Sequence, residues 1–243
     1  MHSHQNFVQN LLDSVLKLGQ FALPNLCLLC TTPSKRLLCP ACLDSLPYMK
    51  NACLQCALPI TSSDTELCGQ CLASKPSFDA SISLTSYQGP VPYLINQFKH
   101  QRKHNIGAFL SQLFVDRLLS SRTRPDVITF APLYWRRQFS RGMNQAERLA
   151  NTIGNRLDVK VEPLFKKVKS TAAQQNMTRK ERLKNLKNSV ILSNTVLIKD
   201  KHIVFVDDVM TTCATAETTA KLLRTAGAGR IEIWTIARTP KPK

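Results

Sequence analysis

Two adjacent carboxylates followed by a cluster of hydroxyls mark the stretch Ile203-Val-Phe-Val-Asp-Asp-Val-Met-Thr-Thr-Cys-Ala-Thr-Ala-Glu217. Four apolar residues read as a buried parallel strand that ends in Asp207 and Asp208. Thr211, Thr212 and Thr215, set among small residues, then open a helix that runs to about Thr225. A strand entering a hydroxyl-rich loop at a helix N-terminus is a phosphate cradle, because unpaired N–H groups face the anion and the helix dipole favours it. Carboxylates at the strand's end add acceptors for vicinal hydroxyls, or ligands for Mg²⁺. The combination describes a site for a ribose 5-phosphate. A buried strand with a threonine-capped helix and no ligand would not need two charged residues there.

This segment resembles the 5-phosphoribosyl-1-diphosphate (PRPP) motif of type I phosphoribosyltransferases. The resemblance implies that Asp207 and Asp208 hold the ribose hydroxyls while Thr211, Thr212, Cys213, Ala214 and Thr215 wrap the 5-phosphate. At Cys213 that family usually has Gly, which reaches positive φ without a Cβ clash.

Eight of the nine cysteines fall in four pairs of one spacing: Cys27/Cys30, Cys39/Cys42, Cys53/Cys56 and Cys68/Cys71. A two-residue gap lets a tight turn aim both sulfurs at one tetrahedral ion, so four pairs make two Cys₄ zinc sites. Spacing favours joining the first pair with the second and the third with the fourth, as two successive ribbons. Interleaved pairing stays open, as do disulfides, redox-active pairs and an iron–sulfur cluster. Cys213, the ninth, reads as a small structural residue of the loop, with a reactive thiol as the alternative.

The elements that must position these groups follow from patterning. Residues 22–75 are short, turn-rich and broken by Pro24, Pro33, Pro40, Pro47 and Pro59, so bound metal must supply their folding energy. Beyond a boundary at Lys75-Pro76-Ser77, strands are expected at 80–87, 126–130, 159–164, 190–192, 203–206 and 231–237. Helices are expected at 91–98, 106–119 and 145–157. Strands alternating with helices imply an α/β fold with a mostly parallel sheet and ligands at the strands' carboxyl ends. The expected organisation is an N-terminal helix over 1–21, a double zinc ribbon over 22–75 and a phosphoribosyltransferase-like domain over 76–243. Leu11, Leu12, Val15, Leu16 and Leu18 would form one face of the first helix. Asp13 and Lys17 interrupt that apolar stretch and no basic segment precedes it, which argues against a signal peptide. No apolar run approaches the ~20 residues that cross a bilayer.

Charge is uneven. The chain carries 33 basic and 16 acidic side chains, a net of +17. Residues 1–75 contribute only +1 of this, and two Zn²⁺ held by eight thiolates would make that part negative. The polyanion-binding surface is therefore expected in the remaining 168 residues, which carry +16.

Three further segments carry chemistry. Pro132–Gln145 follows a buried strand and brings Arg136, Arg137 and Arg141 to a loop with Gly142, a set suited to bidentate contact with a diphosphate leaving group. A solvated basic loop is the plainer alternative. Lys169–Asn185 is polar and nearly free of apolar residues, either a surface excursion or a lid that excludes water. The run Lys99-His-Gln-Arg-Lys-His104 divides between uses: Lys99 toward the diphosphate, or the whole run as an outer patch for nucleic-acid phosphates.

Tyr87-x-Gly89 with Ile95-x-x-Phe98-Lys99, Trp135-Arg-Arg-x-x-x-Arg-Gly-x-Asn-Gln-Ala146, and Thr171-x-x-Gln174 with Arg182-x-x-Asn185 resemble the ComF-type competence proteins, relatives of the GntX-type proteins. The resemblance spans Cys27 to about Arg238 and implies a zinc domain coupled to a phosphoribosyltransferase-like domain. It also implies a cytoplasmic role in natural transformation, handling incoming single-stranded DNA alongside the proteins of the uptake machinery. The enzyme expected from the site is a phosphoribosyltransferase or pyrophosphorylase acting on PRPP with Mg²⁺, with Asp207, Asp208, Arg136 and Arg137 in the catalytic set. The alternatives are a non-catalytic accessory protein that binds single-stranded DNA, with Tyr134, Trp135 and Phe139 for base stacking, and a regulator that senses PRPP or nucleotide.

Overall fold

The computed structural model describes residues 25–60, 65–100, 104–118, 124–133, 143–167, 190–193, 195 and 198–241. The expected N-terminal helix, the arginine loop with Tyr134 to Gly142, and the lid segment 169–185 lie outside them. The chain divides into two compact units, residues 1–46 and 47–243.

In the first unit, Cys27 to Cys30 form a knuckle closed by the Cys27 N–H donating to the Thr32 carbonyl (2.8 Å), with Thr31 in the left-handed region at φ 59°. Helix α1, Pro40–Asp44, starts directly after Cys39, and Pro40 suits its first turn because that position needs no N–H. The larger unit opens with a second copy of the same device. Its Cys53 N–H donates to Leu58 O (2.9 Å), Ala57 sits at φ 51°, and helix α2, Gly69–Ala73, follows Cys68.

The rest of the larger unit is α/β: β1 Ala80–Ser86, α3 Val91–His100, α4 His104–Leu118, β2 Val127–Phe130, α5 Gln145–Leu157, β3 Phe165–Lys167, β4 Val190–Leu192, β5 His202–Met210, α6 Ala214–Thr225 and β6 Arg230–Arg238. Four strands form a parallel sheet in the order β1-β6-β5-β2, and β3 and β4 pair antiparallel beside it. The central strands β5 and β6 are covered on both faces, which explains their near-continuous apolar runs. Ile203, Phe205, Ile231 and Ile233 join a core with Ala216, Ala220 and Leu223 of α6. Trp234, one residue out of step, packs against Phe114 of α4 with ring centroids 5.8 Å apart.

Cys53, Cys56, Cys68, Cys71, Ala57 and Leu58 belong to the same core as α6, so the second ribbon is built into the α/β body. Its knuckle carbonyls are held by that body: Leu54 O accepts from Ser81 N (3.0 Å), and Gln55 O from Ser81 Oγ (2.9 Å).

Helix α5 shows how local sequence sets an element. Asn144 caps it by accepting from Ala146 N, Asp158 ends it in the left-handed region, and Ala146, Leu149, Ala150, Ile153 and Gly154 bury one stripe. A Cβ at Gly154 would collide with the Val161 side chain and Val159 O, so the loop can cross the helix only there. The expected strand at 159–164 is not formed: Val161 makes a single bridge to Ile128, and the strand begins at Phe165, after Pro163 has removed a donor. Among the described residues, no helix is long and apolar enough to cross a membrane.

Candidate functional site

The eight paired cysteines resolve into two groups. Cys27, Cys30, Cys39 and Cys42 form one, and Cys53, Cys56, Cys68 and Cys71 the other, with all ligand sulfurs of a group within 4.8 Å of one another. The pairing is successive, first with second and third with fourth. The Cys30–Cys39 and Cys56–Cys68 sulfurs stand 3.6 Å apart. A tetrahedron with metal–sulfur bonds of about 2.3 Å has edges of about 3.8 Å, so both groups fit Zn²⁺.

The thiols of each group are driven apart in acidity. Burial alone would raise Cys27, but amide donors, including Cys39 N at 3.3 Å, outweigh it and bring it to about 6. Burial raises Cys56 to about 12 and pushes Cys71 higher still. Four thiolates cannot ionise together at this spacing until a divalent cation balances them. Zinc in both groups is structural: every ligand comes from the protein and no position remains open.

The motif strand runs further than its apolar residues suggest. β5 continues through Asp207 and Asp208 to Met210, still paired with β6, with Asp207 opposite Thr235 and Met210 opposite Arg238. Two adjacent strand positions face opposite ways, and the carboxylates diverge accordingly. Asp207 lines a hollow beneath the loop, together with Thr211, Thr212, Cys213, Ala214 and Thr215. Asp208 pairs with Lys99 Nζ of α3 at 2.6 Å. The Asp208 N–H donates to Asp207 Oδ1 at 2.8 Å.

Burial, reinforced by the Asp208 charge, pushes the Asp207 carboxyl up to about 7. Lys99 and Lys167 oppose the shift without cancelling it.

The loop ends at Cys213, the N-cap of α6, whose backbone takes φ 61° and ψ 8°. No side chain caps the helix there, and the start of α6, Ala214 to Ala216, lines the hollow. Thr218 and Thr219 donate back to carbonyls of the first turn, so Thr211, Thr212 and Thr215 are the threonines of the loop and helix that line the hollow, while Thr235 of β6, also at its wall, pairs with Ser83.

Sequence reasoning missed one residue of this region. Arg238, at the end of β6, is 4% exposed. Its Nε donates to Cys56 O (2.9 Å), Nη1 to Met210 O (3.1 Å), Thr211 O and Thr239 O, and Nη2 to Cys213 Sγ (3.5 Å). The available signal was an arginine closing a strand, Ile231–Ala237, whose residues other than Glu232 and Thr235 are apolar, a setting where charges are rarely buried without partners. Glu217, in the first turn of α6, also reaches outward: it accepts from Ser77 N (2.9 Å) and Ser77 Oγ (2.8 Å), tying the helix to the segment that joins ribbon and sheet.

Of the expected site residues, the structure gathers Asp207, Thr211, Thr212, Cys213, Ala214 and Thr215 around one hollow and links Asp208 to Lys99. Arg136 and Arg137 lie outside the described residues.

A parallel sheet with this strand–loop–helix unit and a paired Cys₄ module defines a phosphoribosyltransferase-type domain joined to a double zinc ribbon. Residues 142–243 match the family model "Phosphoribosyl transferase domain" and residues 18–72 the model "Double zinc ribbon domain". The chain is 32% identical over 225 residues to the DNA utilization protein YhgH of Salmonella typhimurium, covering 89% of this chain and 98% of that one. It is also 32% identical over 215 residues to Competence protein F of Haemophilus influenzae, covering 84% and 92%. The chain belongs to this ComF/GntX-type competence protein family. Among solved structures it is similar to the glutamine PRPP amidotransferase from B. subtilis at 17% identity and TM-score 0.36, covering 54% of this chain and 25% of that one. This chain thus matches about a quarter of that enzyme's length. The adenine phosphoribosyl transferase from Trypanosoma brucei matches at 13% identity and TM-score 0.37, covering 59% and 68%.

Proposed function

We propose that the chain binds PRPP at the β5–α6 junction. The 5-phosphate sits on Thr211 to Thr215 and the uncapped amides of α6, and the ribose hydroxyls donate to Asp207 and Asp208. Lys99, Arg136 and Arg137 take the diphosphate side. The observation that carries this reading is the combination at one hollow of a helix N-terminus without a capping side chain, three threonines and a carboxylate. A helix end finished only for folding would normally be capped by its own Ser, Thr, Asp or Asn. Asp208 keeps acceptor capacity beside Lys99, since a carboxylate offers about four lone-pair directions.

Asp207 and Asp208 are too few ligands for a protein-only Mg²⁺ cage, but they fit an ion that arrives on the diphosphate. An ion held there would neutralise charge on the departing oxygens. The protein's own part is to orient the ring and hold the 5-phosphate. A transfer reaction would break the bond from ribose C1 to diphosphate and form one to a nitrogen nucleophile.

Calorimetry with PRPP and Mg²⁺ tests the site. Binding that survives Asp207→Ala with Asp208→Ala unchanged removes the assignment. Diphosphate release against a panel of bases then tests turnover.

A second reading adds to the first: the protein handles single-stranded DNA in the cytoplasm, together with the DNA-uptake machinery. The names of its relatives and the +16 carried by residues 76–243 favour it. Groove binding of this kind weakens steeply with salt as counterions return to the backbone, so affinity independent of salt would exclude it.

A further inference from the structure

We infer that Arg238 is a positioning residue of the phosphate loop, and that through it the metal state of the second cysteine group sets the loop's affinity for a phosphate dianion. The inference rests on the proposed PRPP site for its ligand, but its geometry stands independently.

The guanidinium touches both parts at once. Nε holds the carbonyl of Cys56, a ligand of the second group, at 2.9 Å, and Nη1 holds the carbonyls of Met210 and Thr211. Nη2 reaches Cys213 Sγ at 3.5 Å, beside the α6 N-terminus. Each peptide is a planar trans unit whose C=O and N–H point in opposite directions. Holding the Met210 and Thr211 carbonyls on the Arg238 side therefore turns the Thr211 and Thr212 N–H groups to the other side of the loop. A cation on those carbonyls also polarises the peptides and strengthens the N–H groups as donors.

Among the described residues, no carboxylate pairs with Arg238, whose hydrogen-bond partners there are four carbonyls and one thiol. With zinc bound, the four thiolates of the second group carry a net −2 beside the Cys56 carbonyl that Arg238 holds, so the guanidinium is tied to that group by charge as well as by its hydrogen bond. Its remaining donors hold the peptides of the phosphate loop.

The Cys56 end is equally constrained. Leu54, Gln55 and Cys56 offer three successive carbonyls, accepting from Ser81 N, Ser81 Oγ and Arg238 Nε. Metal at Cys53, Cys56, Cys68 and Cys71 locks the knuckle and so the Cys56 carbonyl; loss of metal frees it, and Arg238 loses one of its fixed points. A cleft of about 200 Å³ between ribbon and loop, lined by Gln70, Ser74, Thr211, Thr212 and Thr239, gives the parts room to move.

The test uses the full chain with Arg238→Lys, Cys71→Ser, their combination, and Cys42→Ser as the control for zinc loss at the other group. Zinc content, calorimetric affinity for PRPP with Mg²⁺ and for inorganic phosphate, and amide exchange over residues 210–217 are measured together. Arg238→Lys keeps the charge but not the fork, so it should retain two zinc equivalents and bind PRPP about tenfold more weakly. Cys71→Ser should weaken PRPP by a similar factor. The combination should be no worse than the weaker single variant, since both act on one connection. Both should speed exchange at 210–217, and Cys42→Ser should not.

Wild-type affinity in Arg238→Lys, additive losses, or an equal loss in Cys42→Ser would overturn the inference. If the wild-type chain binds neither PRPP nor phosphate, the proposed function fails while the exchange data still decide the coupling. If Cys71→Ser does not fold, the cobalt-loaded wild-type chain reads the reverse direction. Saturating phosphate should shift its thiolate-to-metal absorption and Arg238→Lys should abolish that shift, as reciprocal linkage requires; an unmoved spectrum overturns the coupling.

Discussion

At Cys213, φ 61° places a side chain in the region where Cβ meets the following carbonyl, a strain of roughly 1–2 kcal/mol for a residue other than glycine. Cys213→Gly should therefore stabilise the fold by about 1 kcal/mol, read as a rise in Tm of about 2–4 °C by calorimetry. An unchanged or lowered Tm would mean that the sulfur's contacts with Arg238 and the core outweigh the strain. Asp207 makes a pH prediction. Burial and the neighbouring Asp208 lift its carboxyl from 3.8 to about 7, so the native state holds this proton more tightly than the unfolded chain. Between those values the unfolded chain binds fewer protons, so stability from this group is present below pH 3.8 and is lost as pH rises through about 7. Asp207→Asn should flatten that slope in unfolding titrations. A ligand that donates hydroxyls to the ionised carboxylate should bind more tightly as pH rises through the same region, and PRPP affinity that falls there would count against Asp207 as the acceptor.

At the scale of elements, α5 carries the close crossing of the loop at Gly154. Gly154→Ala improves helix propensity but drives a methyl toward the Val159 carbonyl, so a net loss of about 1–3 kcal/mol is expected in denaturant unfolding. The two cysteine knuckles are near copies but sit in different settings. The second is part of the core around α6, so chelation or Cys71→Ser should lower the stability of the whole larger unit; Cys30→Ser should leave that unit's unfolding transition in place. Coincident loss in both variants would contradict the division at residue 46. Zinc binding must also release the protons held on Cys56, Cys71 and Cys42, whose acidities are all suppressed. Affinity for zinc should fall as pH is lowered, measurable by competition with a coloured chelator.

Along the chain, most positive charge and the metal ligands fall in different segments. Residues 76–243 carry +16, while the part of the chain that zinc organises carries little positive charge. If single-stranded DNA is a partner, the slope of log affinity against log salt should be steep and should stay unchanged when Cys42→Ser removes a ligand of the first group. A shallower slope in that variant would assign DNA contact to the ribbons.

The motif at 203–217 and the four cysteine pairs were legible because local chemistry dictates them: a phosphate cradle needs a strand, a loop and a helix start in immediate succession, and a metal knuckle needs two thiols at one spacing. The alternation of strands and helices was legible for the same reason, since periodicity records which face is buried. Tertiary structure decided what depends on distant partners. It joined Cys53/Cys56 to Cys68/Cys71, carried β5 past its apolar residues because β6 supplied hydrogen bonds as far as Met210, and replaced a strand at 159–164 with one beginning at Phe165. It sent Asp207 and Asp208 to different neighbours and raised the Asp207 pKa to about 7, an effect of burial that no sequence pattern encodes. Arg238 lies 182 positions from Cys56 and 27 from Thr211, and only the folded chain brings all three within one guanidinium's reach.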